Sequence, residues 1–254
     1  MTDISTNASQ GKPRSTLALA IWVLLLLLLT ALLIGLGTWQ VKRLHWKLDL
    51  IARVDARVHG PAVPAPGPAQ WTDITAESAE YKHVQVSGIL LNDKEVQVYA
   101  STVLGAGYWV LTPLRQADGT TIIINRGFVP TDKRNPTTRP AGQIGADTAV
   151  TGLLRISEPK GTLLRSNVPA EERWYSRDVA AIAAARGLQN VAPYFIDADD
   201  AKNPGDLPVG GLTQISFPNS HLVYAITWYG LAVMTLGMAV FLVYFERRRR
   251  KAAD

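Results

Sequence analysis

Two groups of side chains, each at one end of a long apolar run, have the types and spacing to hold a flat amphiphilic ligand. In Trp39-Gln40-x-x-Arg43-x-x-x-Lys47 the polar residues follow at three- and four-residue steps, roughly one face of a helix. In Asn219-x-His221-x-x-Tyr224-x-x-x-Trp228, offsets of three and seven bring Tyr224 and Trp228 back into line with His221. An imidazole, aromatic walls and a cation suit haem, whose iron accepts histidine and whose propionates pair with Arg or Lys. The same residues also make an interfacial belt, in which Trp and Tyr anchor helices, His221 caps a helix start, and Arg43 and Lys47 reach lipid phosphates. Residue type alone leaves both readings open, because ionisable groups at a membrane boundary are less diagnostic than those at its centre.

Other chemistries find little support. The chain has no cysteine, which excludes disulfides, thiolate catalysis, zinc-thiolate sites and iron-sulfur clusters. Its four histidines, His45, His59, His83 and His221, never stand at the close spacing of a helical metal pair. There is no G-x-S-x-G, P-loop or Rossmann glycine fingerprint. Asp197, Asp199 and Asp200 resemble a piece of a calcium loop without its glycine and distal glutamate, so a solvated acidic turn is expected there. Gly105-Ala106-Gly107 reads as a hairpin connection. The net charge is +5, but five of the 26 Lys and Arg sit in residues 247–251, and the remaining 21 equal the 21 Asp and Glu. A basic tail directly after an apolar run is an orientation signal, and nucleic acid is not an expected partner.

The elements that must position these residues are two membrane spans. Residues 17–37 are apolar apart from Thr30, and 21 residues at ~1.5 Å each match a hydrocarbon layer of ~30 Å. A signal peptide has a shorter apolar core, and Leu36-Gly37-Thr38-Trp39 is a poor cleavage site. The second span, residues 221–245, carries aromatics at both ends and leads into the basic tail, residues 246–254. That tail places the C-terminus in the cytoplasm, and two spans return the N-terminal segment, residues 1–16, to the same side. Lys42, Arg43 and Lys47 then lie outside against the positive-inside rule, where Lys12 and Arg14 alone precede the span.

Residues 38–220 form the outer domain. A helical continuation over 41–58 leads to a proline-rich connector over 60–68, expected to be stiff and outside any core, so that 38–70 is a lead-in. Strands are expected over 82–90, 95–100, 108–114, 121–125, 148–154 and 194–197, with one helix over 178–186 capped by Asp178 and stopped at Gly187. The fold class is therefore two transmembrane α-helices flanking a mainly β, α+β domain, for which a barrel is one closure.

Three segments together carry a resemblance: Gly37-Thr38-Trp39-Gln40-Val41-Lys42-Arg43 with Lys47, Asn125-Arg126-Gly127-Phe128-Val129-Pro130, and residues 219–229 from Asn219 to Tyr229. The chain resembles the surfeit locus protein 1 family of cytochrome c oxidase assembly factors, with Phe128 where the family commonly has Trp. Its short N-terminal segment without an Arg-rich leader is similar to bacterial members rather than mitochondrial precursors. The resemblance implies a non-enzymatic role: holding haem a transiently after haem a synthase makes it, and helping it reach the oxidase catalytic subunit. It implies His221 as the axial ligand of the haem iron, a bacterial plasma membrane location and a periplasmic central domain. Trp39, Gln40, Arg43, Tyr224 and Trp228 join the pocket by helical position, with membrane lipid as the surrounding partner; His45 and His59 are candidates for a second ligand. A scaffold that stabilises an oxidase intermediate without haem is the alternative. Asn125-Arg126-Gly127 reads either as a β-turn, in which Gly127 supplies a permissive backbone, or as a docking surface.

Overall fold

In this computed structural model, residues 15–253 are described, except Lys160, Leu163, Gln214 and Ser216. Lys12 and Arg14 of the N-terminal segment lie outside the described residues. The chain divides into two units, one of residues 1–51 with 217–254 and one of residues 52–216.

The helical unit is built from two helices long and apolar enough to cross a membrane, α1 (Thr16–Val58) and α4 (His221–Ala253). The expected span and its helical continuation are thus one uninterrupted α1. Its less exposed residues recur at alternating steps of three and four: Val23, Leu26, Thr30, Leu33, Gly37, Gln40, Leu44, Lys47. In α4 the matching series is His221, Ala225, Trp228, Ala232, Thr235, Ala239, Leu242, Glu246. A repeat of 3.5 residues keeps one stripe facing a partner helix, so the two stripes form an antiparallel seam. Lipid offers no hydrophobic drive for this association, and close packing with interhelical hydrogen bonds supplies it instead. Ala225, Ala232 and Ala239 keep the α4 side low. The Thr30 and Thr235 hydroxyls hydrogen-bond at 2.8 Å, and a Cβ on Gly37 would sit 2.9 Å from the Tyr229 ring.

The second unit rests on seven strands: β1 (Val63–Pro64), β2 (His83–Leu90), β3 (Val96–Thr102), β4 (Gly105–Arg115), β5 (Thr121–Pro130), β6 (Asp147–Ile156) and β7 (Val191–Ala198). Along the order β1-β2-β6-β7-β5-β4-β3, Ile89 and Leu90 of β2 also pair with Arg115 and Leu114 of β4. Five strands, β2, β6, β7, β5 and β4, therefore close into a barrel. Closure removes the open edges that a small sheet would otherwise expose.

Alternation along each strand sorts side chains between two cores. Val84, Val86 and Leu90 of β2 join Leu114, Ile122, Ile124, Leu154, Tyr194 and Ile196 in one buried cluster, to which all five barrel strands and Ala79 of α2 (Ala76–Ala79) contribute. The intervening Ile123 and Phe195 turn the other way, joining Val96, Val98, Leu111 and Trp174 with Val179 and Ile182 of α3 (Val179–Ala185). Covering both faces explains why β5 begins with three consecutive isoleucines. The expected Asp178 cap is present, accepting from the Ala181 amide at 3.0 Å.

Four sequence expectations need correction. The proline-rich connector is pinned to the barrel: Val63 and Pro64 pair in parallel with Val84 and Gln85, and the Pro66 carbonyl accepts hydrogen bonds from Trp71 and Tyr194. Composition reports stiffness but not the pairing partner, and Ala65 and Trp71 pack on the core. Gly105-Ala106-Gly107 belongs to β4, with the turn one step earlier around Val103 and Leu104. Asp197 is no solvated turn residue, since it is buried at the end of β7. Asn125-Arg126-Gly127 is not a turn after a strand but the middle of β5, beside a register shift against β4 between Trp109 and Leu111. Gly127 takes φ +125°, and an added Cβ would sit 2.1 Å from the Val209 carbonyl oxygen, with which the Phe128 amide hydrogen-bonds its chain.

Gly127→Ala should destabilise the barrel by at least about 2 kcal/mol, because left-handed strain adds to a backbone clash. Gly145→Ala, which meets nothing within 4 Å, should change it by less than about 0.5 kcal/mol. Urea midpoints of the two variants check this. A second expectation concerns His83, whose Nδ1 donates to the Gly60 carbonyl at 2.9 Å and whose Nε2 meets Asp199 at 2.8 Å. With an acceptor at each nitrogen the cation is favoured, and the Asp199 hydrogen bond, then that of Gly60, raises the pKa above 6.5. Its stabilising contribution is complete below the unfolded value of 6.5 and is lost as pH rises through the raised folded value. His83→Gln should remove that part of the pH dependence of the unfolding midpoint.

Candidate functional site

Within the helical unit the side chains that could do chemistry gather where α4 begins. His221 is the first residue of α4, and its Nδ1 lies 2.8 Å from the Gln40 side-chain oxygen of α1. An amide oxygen only accepts, so Nδ1 carries the hydrogen and donates. In the neutral form of the ring the lone pair then sits on Nε2, which has no hydrogen-bond partner among the described residues. Both residues are half-buried in the seam, and Trp228 follows His221 by seven residues in the same stripe. Ring orientation and tautomer are thereby fixed by a neighbour, as second-shell partners do for metal-binding histidines.

The expectation that Gln40, Arg43 and Lys47 share one face is corrected in part. Gln40 and Lys47 lie in the seam, whereas Arg43 is exposed and stacks over the Trp46 ring at 4.1 Å. Offsets of three and four are both compatible with one face. The 3.5-residue repeat chooses Leu44 rather than Arg43 between the other two. Lys47 Nζ stands 5.3 Å from the Phe217 ring centre. Neither cation forms an ion pair with a carboxylate among the described residues.

Trp39 and Tyr224 are 56% and 52% exposed, so they flank the seam rather than fill it. Their side of it follows from a contact opposite. Thr38 and Tyr229, each one residue after a seam position, meet through their hydroxyls at 3.1 Å. Each residue turns an α-helix by about 100°. Residues one before a seam position therefore flank the other side, and these are Trp39, Arg43 and Trp46 on α1 and Tyr224 on α4. One lateral face of the helix pair thus carries an exposed guanidinium and three exposed aromatics beside the seam that holds His221. Gly37 and the seven-residue alanine repeat, which set how closely the helices approach, carry no chemistry by type. Their spacing was the signal that a search for reactive residues passes over.

The remaining histidines are placed elsewhere. His45 Nδ1 donates to the Val41 carbonyl one turn back, and exposed His59 does the same to Asp55. His83 is committed to Gly60 and Asp199 within the barrel unit.

The barrel unit holds a second polar centre that sequence reading missed. Asp197 accepts from Asn125 at 2.7 Å, Arg155 at 2.9 Å, Arg177 at 3.2 Å and the Thr213 hydroxyl at 3.0 Å, beside a cavity of about 230 Å³. Arg177 also binds Glu158; burial opposes the charged carboxyl there, but the Arg177 hydrogen bond and charge outweigh it and hold its pKa below the usual value. Asn125 and Arg126 are 4% and 3% exposed, so this segment offers no docking surface and serves the barrel interior. The partners of Asp197, itself on β7, come from β5, β6 and two loops, a separation in sequence that no motif would reveal.

Comparison with known proteins covers both helices and the barrel domain that lies between them in sequence. The pattern of the SURF1 family matches residues 27–233. Surfeit locus protein 1 of Homo sapiens is 37% identical over 231 residues, covering 84% of this chain and 74% of that protein. A SURF1-like protein of Monosiga brevicollis is 38% identical over 221 residues, 82% of each chain, and one of Drosophila melanogaster 33% over 232 residues. Matches of that identity, running through both helices and the barrel between them, place the chain in the SURF1 family.

Proposed function

We propose that this protein is a cytochrome c oxidase assembly factor that holds haem a at the α1–α4 face and assists its delivery to the oxidase catalytic subunit. The SURF1 family is one of oxidase assembly factors, and membership supports the oxidase as the client. The observation that carries the haem reading is the Gln40–His221 hydrogen bond, which leaves Nε2 of the neutral ring as the lone-pair donor. Neutral imidazole with its other nitrogen donating to an oxygen is the form that binds iron.

The donor set fits the group. His221 would ligate the iron, and Gln40 would hold its tautomer. Trp39, Tyr224 and Trp228 offer aromatic surface to a macrocycle, while Arg43 and Lys47, which have no carboxylate partners among the described residues, are available to propionates. Haem held there would supply an iron centre able to accept the imidazole; the protein would supply orientation and shelter from water. The role is that of a carrier rather than an enzyme, receiving its cargo from haem a synthase.

The orientation that suits this role puts residues 246–254 and the N-terminus in the cytoplasm of a bacterium, with the barrel on the periplasmic face of its plasma membrane. Five consecutive basic residues directly after α4's apolar run support it, since such runs are retained inside while a long intervening segment translocates regardless of charge.

Purified after co-expression with the haem a pathway, the wild-type chain should show a haem absorption spectrum that His221→Ala loses. An unchanged spectrum in that variant removes His221 from the ligand role, and normal oxidase assembly by a haem-free variant favours a scaffold instead. Gln40→Leu keeps the ligand but releases its tautomer, and should weaken haem binding about 10- to 100-fold in a spectroscopic titration.

A further inference from the structure

Arg126 is buried at the centre of β5, and its neighbourhood carries one more positive charge than negative. Its Nη2 donates to two neutral acceptors, the Gly142 carbonyl at 2.6 Å and the Asn203 side-chain oxygen at 3.2 Å. Nη1 is buried and has no partner among the described residues. The nearest acidic influence is Glu95, but that carboxylate is taken by a two-pronged ion pair with Arg139, and both of these side chains are 2% exposed. Two buried guanidiniums thus share one carboxylate. Desolvation, the largest influence, pushes the Arg126 pKa down to about 10, still above any physiological pH, so the charge stays.

A buried cation with an unused N–H is costly unless a counter-charge reaches it. The structure holds a place for one. Arg126 forms part of the wall of a cavity of about 140 Å³, together with Lys202, Asn203, Thr148, Thr151 and Asp199. At roughly 30 Å³ per water the space holds a few waters, or one small oxyanion. Asp199 is the one acidic side chain of this wall, and its Oδ2 is engaged by His83 at 2.8 Å. Against it stand Arg126 and Lys202.

We propose that this cavity binds one small anionic group, a carboxylate or a tetrahedral oxyanion, between the guanidinium of Arg126 and the ammonium of Lys202. The buried guanidinium supplies a fixed positive charge at the wall, and the exposed lysine supplies a second cation. The site lies wholly in the barrel unit and is independent of the haem reading, which concerns the helix pair.

The test uses the full chain in detergent, with sodium acetate and sodium phosphate as probes and sodium chloride at matched ionic strength as the reference. Acetate or phosphate should raise the melting temperature saturably where chloride does not. A response to acetate alone assigns a carboxylate, and a response to phosphate alone assigns an oxyanion of the headgroup type. Arg126→Met should abolish the anion effect, and Lys202→Gln should weaken its midpoint about tenfold. No saturable shift beyond chloride overturns the proposal, as does an equal shift in Arg126→Met. If Arg126→Met does not fold, Lys202→Gln decides, and an unchanged midpoint there is equally fatal.

Discussion

In lipid, apolar side chains give two helices no reason to meet, because the surrounding tails are as apolar as leucine. Everything at the candidate site depends on how that constraint is answered. The seam answers it with backbone proximity: Gly37 receives the Tyr229 ring, alanines recur every seven residues in α4, and Thr30 meets Thr235. A larger residue at any of these positions would part the helices and carry His221 away from Gln40. The imidazole's tautomer is thus set by residues with no chemistry of their own.

The same seam sorts two readings that residue types could not separate. A belt and a pocket seemed to compete for the same side chains, but they occupy neighbouring strips of one surface. Exposed Trp39, Trp46 and Tyr224 have the place of interfacial anchors, and half-buried Gln40, His221 and Trp228 have the place of a preorganised donor. Aromatic rings beside a ligating nitrogen serve both purposes, and Arg43 stacked on Trp46 keeps a cation at the boundary between them. The cost of leaving Arg43 and Lys47 without a carboxylate among the described residues is lowered by the aromatic faces of Trp46 and Phe217.

Much of the fold was legible because its signals are local. Period-two alternation in Val84-Gln85-Val86 and Val96-Gln97-Val98 located β2 and β3, and Asp178 with Gly187 bracketed α3. What escaped was everything decided by pairing at a distance. β5 was expected to stop at Asn125 because Asn-Arg-Gly reads as a turn, yet the glycine's positive φ serves a bulge in a strand that continues to Pro130. Asp197 looked solvated because its partners Asn125, Arg155, Arg177 and Thr213 are scattered along the chain. Arg43 was put on the face of Gln40 because three-residue and four-residue steps are equally good helix neighbours. Only a partner helix, by imposing its 3.5-residue repeat, breaks that tie.

Histidine shows how far environment, not residue type, assigns the role. His83 has an acceptor at each ring nitrogen, the Gly60 carbonyl and the Asp199 carboxylate, so both nitrogens are asked to donate and the ring is drawn toward its cation. A cationic imidazole has no lone pair to give a metal, and His83 is committed to tying the proline-rich lead-in to the barrel. His45 and His59 spend Nδ1 on the carbonyl one helical turn behind them, in exposed positions, and His59 Nδ1 also faces the Asp55 carboxylate at 3.1 Å. At His221 alone, among the described histidines, one nitrogen is held by a side chain from a second helix while the other is left bare. A ligand needs that combination of a defined tautomer, a fixed ring and an unspent lone pair, and the sequence contains four histidines but builds it once.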